Sequence, residues 1–225
     1  MKERIKEDYT KYYDIKKIIG KGAFGYVYKG KLKGKKDEYR AIKVIDLDII
    51  RENLIYEYDT KEIEYKINKC IDGFKKEYEN MKICSNENSV KCYEYFYNKN
   101  NFVIIMELCD QNLSQLLKDK YLKSDKGFNI EEIYTIMKQL NKGFKVMIEN
   151  NIIHRDLKLE NILIKYKENK EYIIKLADYG NSKKFDSKIT SNNYGNSFVG
   201  TLHYMAPEIL KKKNIMINVI YGVYE

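Results

Sequence analysis

The chain has 225 residues, of which 44% are hydrophobic and 33% are charged. This length and composition suit one domain with a sizeable core and argue against intrinsic disorder. No apolar run approaches the roughly 20 residues of a membrane span, and the first residues, MKERIKEDYTKYY, lack the apolar core of a signal peptide. The formal net charge of +9 comes from lysines that are spread along the chain and mixed with glutamates. Dispersed charge of this kind does not predict a nucleic-acid-binding surface.

The four cysteines, Cys70, Cys84, Cys92 and Cys109, show neither a C-x-x-C spacing nor a histidine-paired zinc pattern. We therefore expect free thiols in a reducing compartment. The predicted location is the cytoplasm, and a nuclear location stays open.

The first part of the chain predicts a small antiparallel sheet. Residues 11–45 contain three strand-like runs, YDIKKII, YVYKGKL and EYRAIKVI, separated by turns. Residues 46–73 are polar and tyrosine-rich, and we interpret them as an insertion that loops out before a helix over about 73–84. Two further strands are predicted in VKCYEYFYN and NFVIIMELC.

After Asp110 the pattern becomes helical. Apolar residues recur at three- and four-residue steps in NLSQLLKDKYL and in IEEIYTIMKQLNKGFKVMIENN. A β-rich segment followed by an α-rich segment predicts a two-lobed α+β protein.

Gly20, Gly22 and Gly25 stand in G-x-G-x-x-G spacing in IIGKGAFGYVY. Glycines allow backbone amides to approach phosphate oxygens closely. The residues after Gly25 continue as a strand, which excludes the dinucleotide-binding version of the motif, since that version opens a helix. A β-hairpin over phosphates and an ordinary tight turn remain as alternatives.

Further motifs follow in a fixed order. Lys43 ends AIK on a predicted strand, where it would point away from Ile42 and Val44. HRDLKLEN at 154–161, LADYG at 176–180 and GTLHYMAPE at 200–208 come next. Together with the glycine motif, they resemble the eukaryotic protein kinases of the Ser/Thr type over about residues 13–210. The resemblance implies a β-rich N-lobe at about 13–109 and a partial helical C-lobe at about 110–225.

Kinases of this family transfer the γ-phosphoryl group of MgATP to a hydroxyl of a protein substrate. The resemblance implies that Asp156 orients that hydroxyl and accepts its proton, while Lys158 steadies the phosphoryl group and Thr201 helps to set the preference for Ser/Thr. The implied catalytic residues are Asp156, Lys158, Asn161, Lys43, Glu77 and Thr201. The implied Mg²⁺ ligands are Asn161 and Asp178, which offer the hard oxygens that Mg²⁺ prefers.

In this resemblance Lys43 holds the α- and β-phosphates and pairs with a helix glutamate. Glu77 is favoured because Met81, one turn later, can pack inward on the same face; Glu79 is the rival. Met106 takes the gatekeeper position next to the linker, 107–109, that binds the base. The implied nucleotide-binding residues are Ile19, Gly20, Gly22, Gly25, Val27, Ala41, Lys43, Met106, Glu107, Cys109 and Leu163.

Arg155, just before Asp156, implies regulation, because a guanidinium can clamp a phosphate on the activation segment. Ser197 lies at the position that an upstream kinase would phosphorylate. Thr190, Ser191 and Tyr194 are close enough to compete with it.

Two departures from the family stand out. Tyr179 replaces the more common phenylalanine, and its ring can still pack against the His154 region. Only ILKKKNIMINVIYGVYE follows Glu208, whereas the family continues with several helices, so we expect a C-terminally truncated domain. An active Ser/Thr kinase is the first hypothesis. A nucleotide-binding but weak or inert scaffold, a pseudokinase, is the second.

Overall fold

The computed structural model describes residues 3–5, 7–169, 171–184 and 200–205. These described residues form two compact units. The first unit draws on Met1–Glu79 and Lys91–Leu108, and the second draws on Asn80–Val90 and Cys109–Glu225. The predicted activation-segment sites at 190, 191, 194 and 197, the APE motif at 206–208 and the tail after it lie outside the described residues.

The first unit is built on one six-stranded sheet. Its elements in chain order are β1 (Glu3–Ile5), β2 (Tyr13–Gly22), β3 (Gly25–Leu32), β4 (Tyr39–Asp46), α1 (Leu47–Leu54), α2 (Thr60–Ile83), β5 (Cys92–Tyr97) and β6 (Asn101–Glu107). The strand order in the sheet is β1-β5-β6-β4-β3-β2. Strands β2 to β6 are antiparallel, and the short β1 pairs with β5 in parallel.

The two faces of this sheet carry different side chains. Ile42 of β4 belongs to a buried cluster on one face, against which Val44 also packs. The buried members of this cluster are Tyr13, Ile42, Phe96, Val103 and Ile105. Because side chains alternate along a strand, Ala41 and Lys43 are directed to the opposite face.

Helix α2 corrects the prediction for residues 46–73. The helix begins at Thr60, well before the predicted start near 73, and α1 occupies most of the preceding stretch. Asp59 caps α2, because its Oδ1 accepts hydrogen bonds from the backbone of Lys61 (2.8 Å) and Glu62 (2.9 Å). Buried isoleucines at four-residue spacing then form its apolar face: Ile63, Ile67 and Ile71. Charged and other polar residues separate these isoleucines and make the apolar stripe hard to recognise in the sequence.

The second unit combines helices with two small sheets. Its elements are β7 (Gln111–Asn112), α3 (Leu113–Ser124), α4 (Ile130–Glu149), β8 (Ile152–Ile153), β9 (Ile162–Tyr166), β10 (Tyr172–Leu176) and β11 (Lys183–Lys184). The strand orders of the two sheets are β10-β9-β7 and β11-β8. Helix α4 starts with a capping box between Asn129 and Glu132, and Gly143 in α4 lets Leu176 pack against the helix backbone.

The predicted α+β class is confirmed, with a β-rich first unit and a helical second unit. The lobe boundaries near residue 109 stay a prediction. None of the helices in the described part of the chain is both long and apolar enough to cross a membrane.

Candidate active site

The glycine motif forms the tight hairpin between β2 and β3, where Gly22 pairs with Gly25 across Ala23 and Phe24. Gly25 is required by packing, since its φ is +158° and a Cβ there would lie 2.0 Å from the backbone oxygen of Val44. A Cβ at Gly22 would meet its nearest atom at 3.7 Å, which is ordinary van der Waals contact. A Cβ at Gly20 would meet its nearest atom at 3.5 Å. Folding therefore explains Gly25 but not the other two glycines.

Lys43 pairs with the glutamate favoured from the sequence. Its Nζ donates a hydrogen bond to Oε1 of Glu77 at 2.6 Å. The Glu77 side chain is buried, with 4% of its surface exposed, whereas the rival Glu79 is exposed to solvent. The long helix α2 thus presents Glu77 to the sheet.

The predicted adenine-binding residues of the first unit share the Lys43 face of the sheet. Val27 lies opposite Gly20 on β2 and opposite Lys43 on β4, and Ala41 lies opposite Met106 on β6. Ile19 is the exception, because it lies at a register irregularity between Ile18 and Gly20 and is 43% exposed. The sheet register therefore brings this set together without direct hydrogen bonds among the side chains.

Three predicted nucleotide-binding residues do not belong to this set: Glu107, Cys109 and Leu163. Glu107 is the last residue of β6, and its backbone nitrogen donates to the carbonyl of Lys91 at 2.8 Å. Cys109 is half-buried and is the first residue of the longer segment of the second unit. Leu163 is half-buried in β9, opposite Lys175.

Asp156 is the centre of a dense group of hydrogen bonds in the second unit. Its Oδ1 accepts from the Thr201 hydroxyl at 2.7 Å, and its Oδ2 lies 3.2 Å from both Lys158 Nζ and Asn161 Nδ2. Lys158 Nζ also donates to Thr201 Oγ1 at 3.1 Å. Four of the six predicted catalytic residues are thus brought together.

The protonation state of Asp156 follows from this environment. Burial would raise the pKa of its carboxyl, but hydrogen bonds from Thr201, Lys158 and Asn161, with the positive charge of Lys158, outweigh it. The net result is a pKa below the usual range, so Asp156 is a carboxylate at neutral pH.

Asn161 and Asp178 lie on adjoining segments. The Asn161 carbonyl accepts a hydrogen bond from the Ala177 backbone at 3.0 Å, which ties the segment of Asn161 to the residue before Asp178. The Asn161 amide donates through Nδ2 to the backbone oxygen of Asp156 at 2.8 Å, so that Oδ1 is the atom suited to a cation. One carboxylate and one amide oxygen fit Mg²⁺, which also takes water and phosphate ligands. No cluster of three or more acidic, histidine or cysteine side chains in the described ranges could hold a metal without such additional ligands.

The backbone around these residues is held in costly conformations. Arg155 (φ +64°) and Asp178 (φ +61°) occupy the left-handed region, which non-glycine residues seldom adopt. Gly200 has φ +114°, and a Cβ there would lie 2.3 Å from the carbonyl oxygen of Arg155. Gly200 therefore allows the segment that carries Thr201 to lie directly on the loop that carries Asp156.

His154 and Tyr179 support this loop from within. Both are buried, and their ring centroids lie 5.3 Å apart. Burial lowers the pKa of His154, and its Nε2 lies 2.9 Å from the Ala177 carbonyl. A carbonyl can only accept, so Nε2 carries a proton, and Nδ1 accepts a hydrogen bond from the Asp156 backbone nitrogen at 3.4 Å. The imidazole is therefore the neutral tautomer with its proton on Nε2. Arg155, proposed above as a phosphate clamp, donates through Nε to the Asn181 carbonyl at 2.6 Å.

Three polar residues near Asp178 were not among the predicted site residues. Ser89 accepts a hydrogen bond from the Tyr179 hydroxyl at 3.2 Å, and Asn80 donates to Ser182 Oγ at 2.9 Å. Ser89, Asn80 and Ser182 belong to no recognised motif. The only available signal was the tyrosine in DYG, whose buried hydroxyl needs a partner.

Comparison with known proteins places these residues in a family context. Residues 13–219 match the family described as "Protein kinase domain". The chain is 35% identical over 208 residues to calcium-dependent protein kinase 5 of Plasmodium berghei (strain Anka), covering 92% of this chain and 32% of that protein. It is 32% identical over 208 residues to serine/threonine-protein kinase atg1 of Dictyostelium discoideum, covering 91% of this chain and 28% of that protein.

A third relative is serine/threonine-protein kinase pakG of Dictyostelium discoideum, which is 31% identical over 208 residues. This match covers 92% of the chain and 15% of the relative. The chain thus spans about a third or less of the length of these relatives. Two of the relatives named above are serine/threonine-protein kinases. Because the family match covers most of its residues, the chain belongs to the protein kinase domain family.

Proposed function

We propose that this chain transfers the γ-phosphoryl group of MgATP to serine and threonine hydroxyls of protein substrates. The observation that carries the proposal is the Asp156 carboxylate, held by Thr201, Lys158 and Asn161. A buried carboxylate fixed by three side chains is suited to act on one incoming hydroxyl.

Asp156 would receive the substrate hydroxyl at Oδ1, where the Thr201 hydroxyl now donates. A serine or threonine hydroxyl can make the same kind of hydrogen bond as Thr201. The lowered pKa keeps Asp156 ionised, so it orients the hydroxyl as an acceptor and takes its proton as transfer proceeds. Lys158 lies 3.2 Å from Oδ2 and carries a positive charge that would stabilise the transferring group.

The nucleotide would be held by the face of the first sheet that carries Val27, Ala41 and Lys43. Glu77 fixes the Lys43 ammonium at 2.6 Å, which orients it for phosphate oxygens. Gly20 and Gly22, which packing leaves unexplained, would allow the hairpin backbone to approach phosphates. Mg²⁺, when bound by Asn161 and Asp178, would neutralise the charge that develops on the phosphates.

The proposal is tested by incubating the purified chain with radiolabelled MgATP and mixed serine, threonine and tyrosine peptides. Wild-type protein should label serine and threonine peptides, and Asp156→Asn should not. Asp72→Asn, an exposed carboxylate on α2, is the matched control and should retain activity. Binding of MgATP without any transfer would contradict the proposal and favour the inert nucleotide-binding alternative.

A further inference from the structure

Five polar residues of the second unit surround the turn that follows Asp178. We call them the polar brace: Asn80, Asn86, Ser89, Tyr179 and Ser182. We propose that the brace positions Asp178 for its cation, with Ser89 as its central positioning residue. This inference rests on the proposed function, because it takes Asp178 to be a Mg²⁺ ligand.

Ser89 anchors one end of the brace. The Tyr179 side chain is fully buried, and its hydroxyl donates to Ser89 Oγ at 3.2 Å. Ser89 is itself fully buried and also accepts from Asn86 Nδ2 at 3.1 Å. A buried phenol that lost its acceptor would be costly, so Ser89 fixes where the Tyr179 ring can lie.

Ser182 anchors the other end. Its hydroxyl donates to the Tyr179 carbonyl at 2.5 Å and accepts from Asn80 Nδ2 at 2.9 Å. Its backbone nitrogen donates to the same carbonyl at 2.9 Å. Tyr179 is therefore held by its side chain and by its backbone at the same time.

The strain at Asp178 explains what the brace does. Asp178 adopts φ +61° immediately before Tyr179, and a non-glycine residue keeps such a conformation only when its surroundings determine it. Hydrogen bonds at both ends of Tyr179 contribute to that determination. The direction of the Asp178 carboxylate thus depends on side chains that do not contact the cation.

The double-variant cycle Ser89→Ala, Tyr179→Phe and Ser89→Ala/Tyr179→Phe tests this dependence. ATP affinity is measured by calorimetry with Mg²⁺ and, separately, with EDTA. Ser89→Ala leaves the buried Tyr179 hydroxyl without its acceptor. It should weaken ATP binding about tenfold when Mg²⁺ is present and leave the ATP affinity in EDTA unchanged.

Tyr179→Phe leaves Ser89 its hydrogen bond from Asn86, so it should weaken ATP binding in the presence of Mg²⁺ by about threefold or less. The double variant should resemble Tyr179→Phe. Ser124→Ala and Tyr134→Phe, both exposed, are matched controls.

Equal effects of Ser89→Ala with and without Mg²⁺, or no effect, would overturn the inference. If Ser89→Ala does not fold, as judged by circular dichroism, Ser182→Ala carries the same test at the other end of the brace. Its affinity should fall about threefold or more with Mg²⁺ only, and equal losses in both conditions would overturn the inference.

The proposed function can fail separately. If wild-type protein binds no ATP in either condition, the proposed function is overturned, and with it the cation-directed role. Amide exchange at Ser182 would then still test the brace as structure. Faster exchange in Ser89→Ala, restored in the double variant, supports the brace, and unchanged exchange overturns it.

Discussion

The glycine hairpin with its sheet face and the loop around Asp156 hold their residues in different ways. On the sheet, Val27, Ala41 and Lys43 come together through strand register, and Gly20 and Gly22 have room around them. Around Asp156, the side chains are buried or half-buried and are joined by direct hydrogen bonds. A surface whose side chains are positioned by strand register tolerates small changes and suits ligand binding. A site whose side chains are joined by hydrogen bonds keeps one geometry and suits chemistry.

The largest expected effect is a loss of turnover when the hydrogen-bonded loop around Asp156 is changed. Asp156→Asn keeps the shape but removes the acceptor charge, so the turnover rate should fall on the order of 10²-fold or more. Affinity for MgATP should stay nearly constant, because Asp156 acts on the hydroxyl and not on the nucleotide. Single-turnover rates and calorimetry measure the two quantities. A comparable loss of both in a folded variant would remove Asp156 from the catalytic role.

The next effect separates two glycines of the same hairpin. Gly25→Ala should lower the free energy of unfolding by about 1–3 kcal/mol, because the new Cβ collides with the backbone of Val44. Gly22→Ala meets no atom closer than 3.7 Å and is the matched control. Urea unfolding measures both. Equal stabilities for the two variants would show that the close approach at Gly25 is not required.

Two glutamates of α2 should differ in their effect on MgATP binding. Glu77→Gln removes the charge that holds Lys43 at 2.6 Å and should weaken MgATP binding about tenfold. Glu79→Gln alters an exposed residue on the same helix and should change binding by less than about twofold. Calorimetric titration of both variants decides between the two glutamates, and a larger effect at Glu79 would reverse the assignment.

The smallest effect is a pH dependence of stability from His154. Burial lowers its pKa in the folded state, so the unfolded chain binds more protons below the unfolded pKa of about 6.5. The contribution of His154 to the free energy of unfolding is fully present above that pH and is lost as the pH falls toward the folded pKa. The free energy of unfolding then changes by at most about 1.4 kcal/mol per pH unit.

Urea midpoints at pH 7.5 and 5.5 measure this slope. His154→Asn should flatten it, and His203→Asn, at an exposed histidine, should not. An unchanged slope in His154→Asn would mean that the buried imidazole does not control it.

Sequence patterns predicted the strands of the first sheet well, because the strand-like runs of β3 and β4 and the apolar run of β6 are local features of the sequence. They missed most of α2, since its buried isoleucines are separated by charged residues and its cap, Asp59, lies inside a polar stretch. The sequence motifs predicted four catalytic residues that the structure brings together: Asp156, Lys158, Asn161 and Thr201.

The polar brace was beyond sequence reasoning. Asn80 and Ser182 are 102 positions apart, and Ser89 and Tyr179 are 90 apart. Pairings between such distant positions depend on the folded chain, and serine and asparagine are common residues with many other uses. Only the extra hydroxyl of Tyr179 could have indicated that a partner must exist, since a buried hydroxyl needs a hydrogen bond.

We assign nucleotide binding to the glycine hairpin with its sheet face, and hydroxyl chemistry to the loop around Asp156. Steady-state phosphoryl transfer by wild-type protein, Gly22→Ala and Asp156→Asn distinguishes the two roles. Gly22→Ala should raise KM for ATP several-fold with a smaller change in kcat, and Asp156→Asn should lower kcat by about 10²-fold or more with a smaller change in KM. Variants that change kcat and KM in the same proportion, or an Asp156→Asn variant that keeps its kcat, would show that the two regions do not divide the work in this way.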